Sequence, residues 1–310
     1  MPTTNVNVKA TVAIFGGTGD LGIHISKIFL TEYRWAFPTI CITTRDPASA
    51  KAQELAKLGG ELYSFNDSLH AILAGVDLAV NVLPTSVAPE FKAELLHALV
   101  RNNVKVYFPS EYAGYDYIHD NLFPGYEHEE WAKKRALALE TRAILEGKVK
   151  IINLNTGGFL TWWIGPGRVF NWDPAENVYN IVGPSTVKNT LTHQSDIGRA
   201  VAQISVLALD PATASTVPTD IRIAGNVVNY ENLRDIVSRV EGIPRGEIIC
   251  KDIAAAKDAL SQDPTSNILD YVVILTGEGN MDFTVNDNEF VNPGQSLWKW
   301  KTVEDEFRGL

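Results

Sequence analysis

The segment Thr11-Val12-Ala13-Ile14-Phe15-Gly16-Gly17-Thr18-Gly19-Asp20-Leu21-Gly22 decides the fold. Its first five residues form an apolar run without period-two alternation, the pattern of a strand buried on both faces. The glycines after it satisfy G-x-G-x-x-G from Gly17 and G-x-x-G-x-x-G from Gly16, and a helical pattern starts at about Leu21. Glycine suits such a turn because the chain must reverse tightly, the backbone must approach a pyrophosphate with no Cβ between them, and the helix must pack close to its strand. The helix N-terminus then receives the anion. Gly16, Gly17, Thr18, Gly19, Asp20, Leu21 and Gly22 are therefore expected to bind a dinucleotide; the structural alternative is a glycine-rich turn without a ligand. Because a carboxylate beside a pyrophosphate is repelled, Asp20 is expected to serve as a helix N-cap directed away from it.

Outward from this turn, strand and helix patterns alternate for more than a hundred residues. Strands are read at Thr39–Thr43, Glu61–Phe65, Leu78–Leu83, Lys105–Phe108 and Lys150–Leu154, and helices at about 48–58, 68–73, 88–102 and 129–146. This order predicts right-handed βαβ units, hence an α/β, doubly wound, Rossmann-like parallel sheet whose ligand site lies beyond the C-terminal ends of its strands. After Gly157 the pattern changes to Gly-, Trp- and Pro-rich sequence, followed by helices at about 196–209, 230–240 and 253–260, a strand at Ile221–Ala224 and a last helix from Thr302. A second, smaller, discontinuous substrate domain is expected from residues 157–188 and 227–310, with 1–156 and about 189–226 forming the dinucleotide-binding domain.

The second strand is followed by Thr44-Arg45-Asp46, where a protein specific for NAD usually places an acid on the ribose 2′-hydroxyl. A guanidinium comes first here, and its planar donor fork suits a 2′-phosphate, so NADPH is the expected cofactor. The alternative is a solvated Arg45 with Asp46 serving NAD. Asn81, Leu83 and Pro84 end the fourth strand and are placed to border the cofactor, although Asn81 could instead satisfy local backbone groups.

Composition narrows the function. The 310 residues carry a net charge of −10 from 37 acids and 27 bases, which argues against nucleic acid as a partner. The cysteines are two, Cys41 and Cys250, so a disulfide framework is not expected. No apolar run approaches the ~18 residues of a membrane span. The N-terminus lacks the pattern of a secretory signal, and a cytoplasmic location is expected. The six histidines show no ligand spacing, with His119 and His128 in a loop and His193 alone, so no metal site is read.

The Tyr-x-x-x-Lys pair of short-chain dehydrogenases is absent: four residues after Tyr112, Tyr115, Tyr117 and Tyr126 stand Asp116, His119, Asn121 and Glu130. The fifth strand runs instead into Pro109-Ser110-Glu111-Tyr112-Ala113-Gly114, and Trp131-Ala132-Lys133-Lys134-Arg135 opens a helix. Together with the glycine loop and the Thr43-Thr44-Arg45 ending, these segments resemble the NmrA-like and isoflavone-reductase-like atypical short-chain dehydrogenases, through about residue 165. Thr192-His193-Gln194-Ser195-Asp196-Ile197-Gly198 is similar too.

The resemblance implies reduction of an aromatic, phenylpropanoid-like small molecule with NADPH, with a helix lysine in place of the Tyr-Lys pair. Regulatory members of the family keep the cofactor fold without the chemistry, so the alternative is a non-catalytic NADP(H) sensor with a protein partner. Lys134 shares a helix face with Leu137, Ala138, Thr141, Ile144 and Leu145, the apolar stripe, whereas Lys133 is placed to pair with Glu129 or Glu130. Lys134 is therefore expected to border the cofactor and to act as proton donor, partial desolvation making an ammonium a better acid; its structural alternative is a snorkelling lysine. Ser110 and Tyr112 are candidates to orient a carbonyl or a ribose, or else loop hydroxyls bonded to backbone. After the sixth strand come Phe159, Trp162, Trp163, Phe170 and Trp172. Phe159 and Trp163, together with Tyr112, are expected to line a pocket for a planar substrate, against the alternative of core packing.

Overall fold

The structure, a computed structural model, describes residues 8–112, 114–118, 121–165 and 171–309. Phe170 and His119 lie outside these described residues. The chain divides into two compact units: Met1–Glu111, Ala136–Leu154 and Ile197–Ile221 form the first, and Tyr112–Arg135, Asn155–Asp196 and Arg222–Leu310 the second.

The first unit contains six strands, β1 (Thr11–Phe15), β2 (Thr39–Thr44), β3 (Glu61–Ser64), β4 (Leu78–Asn81), β5 (Val106–Phe108) and β6 (Lys150–Ile151). They form one sheet in the order β3-β2-β1-β4-β5-β6, with parallel pairing throughout. This is the doubly wound, Rossmann-like order, in which the chain returns to the middle of the sheet at β1 and β4 and opens a crevice at their C-terminal ends. The connecting helices are α1 (Gly22–Thr31), α2 (Ala50–Lys57), α3 (Leu69–Leu73) and α4 (Pro89–Arg101), with α5 (Glu129–Leu145) preceding β6.

Side chains alternate along β1. Ala13 and Phe15 share a core with Leu73, Leu95, Leu99 and Leu145 from α3, α4 and α5, while Val12 and Ile14 on the opposite face are equally buried. Burial on both faces is why β1 reads as an unbroken apolar run. The Gln194–Leu209 helix lies close to α1, since a Cβ on Gly198 would meet Ile28 Cγ1 at 3.1 Å.

The strand expected at Lys150–Leu154 is shorter than its apolar pattern. The ladder ends after Ile151, because the Asn153 amide donates to the Thr219 carbonyl at 2.7 Å and the Asn153 side chain donates to Asp220 at 2.7 Å. Residues Asn153–Asn155 thereby pair with Asp220–Arg222 instead.

The second unit holds two three-stranded sheets, one of Glu247–Lys251, Val178–Val182 and Trp172–Asp173, the other of Asn226–Val228, Asn189–Thr192 and Gly158–Phe159. Helices Tyr230–Glu241, Ile253–Gln262 and Ile268–Glu278 pack with them around Tyr179, Tyr271, Trp131, Phe123 and Trp163. Among the described residues no helix is long and apolar enough to cross a membrane, and no group of three His, Cys, Asp or Glu side chains could hold a metal ion.

Candidate cofactor and catalytic site

The glycine loop joins β1 to α1 and is held by the end of β2. Thr43 is fully buried; its hydroxyl accepts from the Gly16 amide at 3.0 Å and its carbonyl from the Gly17 amide at 3.1 Å. The hydroxyls of Thr18 and Thr44 lie 2.8 Å apart, and Ser26 of α1 donates to the Gly17 carbonyl at 3.0 Å. The turn closes on itself through Gly19 N to Gly16 O at 2.9 Å and Ile23 N to Gly19 O at 2.9 Å. Thr43, Thr44 and Ser26 were not among the residues singled out from the sequence. A signal existed, since two threonines end the otherwise apolar run Ile40-Cys41-Ile42, and Ser26 sits on the buried face of α1.

Three of the four glycines are demanded by the protein itself. A Cβ on Gly22 would lie 2.1 Å from the Gly16 oxygen, one on Gly17 would lie 2.6 Å from Ile42 Cγ2, and Gly16 has φ +86° with the Val82 oxygen 3.1 Å from its virtual Cβ. Gly19 differs: it is exposed, its φ is not in the left-handed range, and its virtual Cβ meets only the Gly16 oxygen, at 3.2 Å. The amides of Thr18, Asp20, Leu21 and Gly22 enter no backbone hydrogen bond among the described residues. Donors without backbone acceptors at a helix N-terminus, beside an exposed glycine, fit a bound pyrophosphate.

Asp20 is not the N-cap. The helix is capped at Leu21 with no side-chain hydrogen bond, because contact between Gly22 and Gly16 sets its first turn. Asp20 is exposed instead.

Arg45 comes directly after β2, is exposed, and makes no hydrogen bond or ion pair among the described residues. Asp46 is engaged locally: its Oδ1 accepts from Ala48 N at 2.9 Å and its carbonyl from the Ser49 hydroxyl at 2.8 Å. The guanidinium is thus available to an anion, while the neighbouring carboxylate is tied into an Asx turn.

At the end of β4, Asn81 uses both ends of its buried amide. Nδ2 donates to the Tyr107 hydroxyl at 2.8 Å, and Oδ1 accepts from the Leu83 amide at 2.9 Å. Burial holds the Tyr107 phenol well above its ordinary range, so it stays neutral as the acceptor. Ser110 donates to the Leu83 carbonyl at 2.9 Å. Leu83 is buried and Pro84 exposed. The first unit therefore gathers the glycine loop, Asn81, Leu83 and Ser110 at the C-terminal ends of β1, β4 and β5.

In the second unit, Lys133 is exposed and forms the expected surface pair with Glu129, at 2.9 Å. Lys134 is half-buried, its Nζ 6.0 Å from the centroid of the Tyr117 ring. Tyr117 is itself fixed: Arg135 Nε donates to its carbonyl at 2.6 Å, and the same guanidinium forms a two-pronged pair with Glu127. Tyr117 and Arg135 were likewise not singled out from the sequence. Trp163 is 3% exposed within the core of this unit, and its indole nitrogen fills the place a Cβ on Gly158 would take. Phe159 and Tyr112 are half-buried, and Trp162 is exposed. The unit also holds a cavity of about 860 Å³, lined by Trp172, Val182, Lys251, Leu260, Leu269 and Val273 among others. None of the residues expected in the site contributes to that lining.

A sheet of order 3-2-1-4-5-6 with this glycine loop is common to many dinucleotide-binding proteins. The family model that matches residues 8–248 is that of the NmrA-like family. The chain belongs to the NmrA-like family. A stretch of 54 residues is 44% identical to the NmrA-like family domain-containing oxidoreductase malD of Malbranchea aurantiaca; it spans 17% of this chain and 16% of that protein. Among solved structures, AtPrR2 with NADP+ and (+)pinoresinol superposes with a TM-score of 0.72 at 20% identity, covering 97% of this chain and 98% of that one. An isoflavone reductase superposes with a TM-score of 0.74 at 16% identity, covering 97% and 99%. At these identities the likeness is one of fold.

Proposed function

We propose that this NmrA-like chain is an NADPH-dependent reductase of a small aromatic or conjugated carbonyl substrate. The observation that carries the cofactor reading is Gly19, an exposed glycine whose virtual Cβ would meet only the Gly16 oxygen, beside amides left without backbone acceptors. In this reading Gly16 to Gly22 hold the pyrophosphate, Arg45 holds the 2′-phosphate, and Asn81, Leu83, Pro84 and Lys134 border the cofactor. The first unit is then the dinucleotide-binding part of the molecule and the second the substrate part. When bound, NADPH would supply a hydride to the substrate.

The residues of the chain do the rest. Lys134 donates a proton from Nζ to the oxygen that gains charge as the carbonyl is reduced. The Tyr117 ring lies 6.0 Å from that ammonium and is itself held by Arg135. Tyr112 orients the carbonyl, Ser110, whose hydroxyl donates to the Leu83 carbonyl, holds the loop at the end of β4 beside the cofactor, and Phe159 supplies apolar surface to a planar substrate. AtPrR2 is described with NADP+ and (+)pinoresinol, which supports a small-molecule substrate.

One observation favours a second reading. Trp163, expected to wall the substrate pocket, is spent in core packing, as it would be in a non-catalytic NADP(H) sensor that engages a protein partner. The experiment that separates the two is NADPH consumption over a panel of aromatic enones, benzylic ethers and simple aldehydes. Reduction of any panel member supports the reductase. Tight NADPH binding with no turnover, and with a protein partner recovered, overturns it for the sensor.

A further inference from the structure

The Glu247–Lys251 strand lies at the edge of its sheet, next to Val178–Val182 and, among the described residues, with no strand on its other side. In this parallel pair the Glu247 amide donates to the Asn177 carbonyl at 3.1 Å, and the Lys251 carbonyl accepts from Gly183 at 2.9 Å. Backbone groups alternate in direction along a strand. Residues 247, 249 and 251 therefore bond inward, and the N–H and C=O groups of Ile248 and Cys250 point out from the edge. No described segment bonds to them. The strand is open to solvent: Ile249 is 41% exposed and Cys250 is exposed.

An edge of this kind is a template for another strand, and proteins often guard it with charge. Here the guard carries opposite signs at its two ends, in Glu247-Ile248-Ile249-Cys250-Lys251. Consider a second copy of the same strand, antiparallel, related by a two-fold axis at Ile249. Ile248 of each copy then faces Cys250 of the other, and these pairs exchange all four outward N–H and C=O groups. Ile249 meets its own copy, and each Glu247 stands across from a Lys251. The last three contacts are non-hydrogen-bonded pairs, the closer kind, in which opposite charges attract. The register that satisfies every outward backbone group is also the register that matches both charges.

We infer that this edge joins two copies of the chain into a symmetric dimer through a continuous six-stranded sheet. The contact is isologous, so it closes and does not propagate into a filament. It is independent of the catalytic reading, because none of its residues belongs to the cofactor or proton-donor assignment.

Sedimentation of the full chain over a range of concentrations tests it. The wild type should dimerise. Lys251→Glu should raise the dimer dissociation constant at least ~10-fold, since it sets like charges across both symmetric positions. Combining Lys251→Glu with Glu247→Lys should restore dimerisation. Ile249→Cys in a Cys250→Ser background should form a covalent dimer under oxidised glutathione, and Cys250→Ser alone should not. A wild type that stays monomeric, a dimer indifferent to Lys251→Glu, or a charge swap that fails to rescue overturns the proposal.

Discussion

Gly19 and Arg45 are single residues whose surroundings do not account for them, and each makes a sharp prediction. Gly19→Val should abolish NADPH binding and leave the fold intact, because its side chain would enter the space assigned to the pyrophosphate; calorimetric titration with a circular dichroism control checks both halves. Arg45→Ala should weaken NADPH by ~1.5–3 kcal/mol, as for a charge-assisted hydrogen bond, and weaken NADH far less. Equal losses for the two cofactors would remove the assignment. At Cys41, burial pushes the thiol up to about 11, with the nearby Glu61 adding to the shift. Its folded value lies above the unfolded one, so the stability gained by keeping the thiol neutral is complete below about pH 8.5 and is lost as the pH climbs toward about 11. In a Cys250→Ser background, a thiol reagent at neutral pH should label the chain only on unfolding.

The glycine loop shows how far an element is legible in sequence. Spacing alone placed Gly16, Gly17, Gly19 and Gly22 in a strand-to-helix turn, and β1 was read to its end residues, because a strand buried on both faces must be apolar throughout. Spacing did not separate structural from ligand-facing glycines, which depends on how closely Gly16, Ile42 and Ser26 approach. That separation is testable: Gly22→Ala should cost about 1–3 kcal/mol of stability by overpacking, whereas Gly19→Ala should fold almost normally, as denaturant midpoints would show. In α5, helical periodicity put Lys133 on the solvent side with Glu129 and Lys134 on the stripe of Ala138, Thr141 and Leu145. It could not anticipate Tyr117 beneath the Lys134 ammonium, since that contact depends on the fold of the preceding loop. The Ile268–Glu278 helix went unread because its run of Tyr271-Val272-Val273-Ile274-Leu275 lacks a polar face.

At the scale of the whole molecule, the doubly wound sheet arises from repeated strand and helix patterns, while the second unit is built from two- to five-residue strands and long-range packing that leave little periodic trace. Trp163 illustrates the difference: its place after a strand suggested a pocket wall, and its contact with Gly158, five residues earlier, makes it core. The proposed chemistry requires that the chain bind NADPH and reduce a substrate with a proton from Lys134. The direct test is turnover and NADPH affinity measured together for the wild type, Lys134→Ala and Lys133→Ala, with a panel substrate that the wild type reduces. Lys134→Ala should lose ~10²- to 10⁴-fold in turnover with NADPH affinity nearly unchanged, the range of general acid catalysis, and Lys133→Ala should change little, because its exposed ion pair with Glu129 is screened by solvent. Full turnover in Lys134→Ala, or loss in Lys133→Ala instead, would contradict the proposed chemistry.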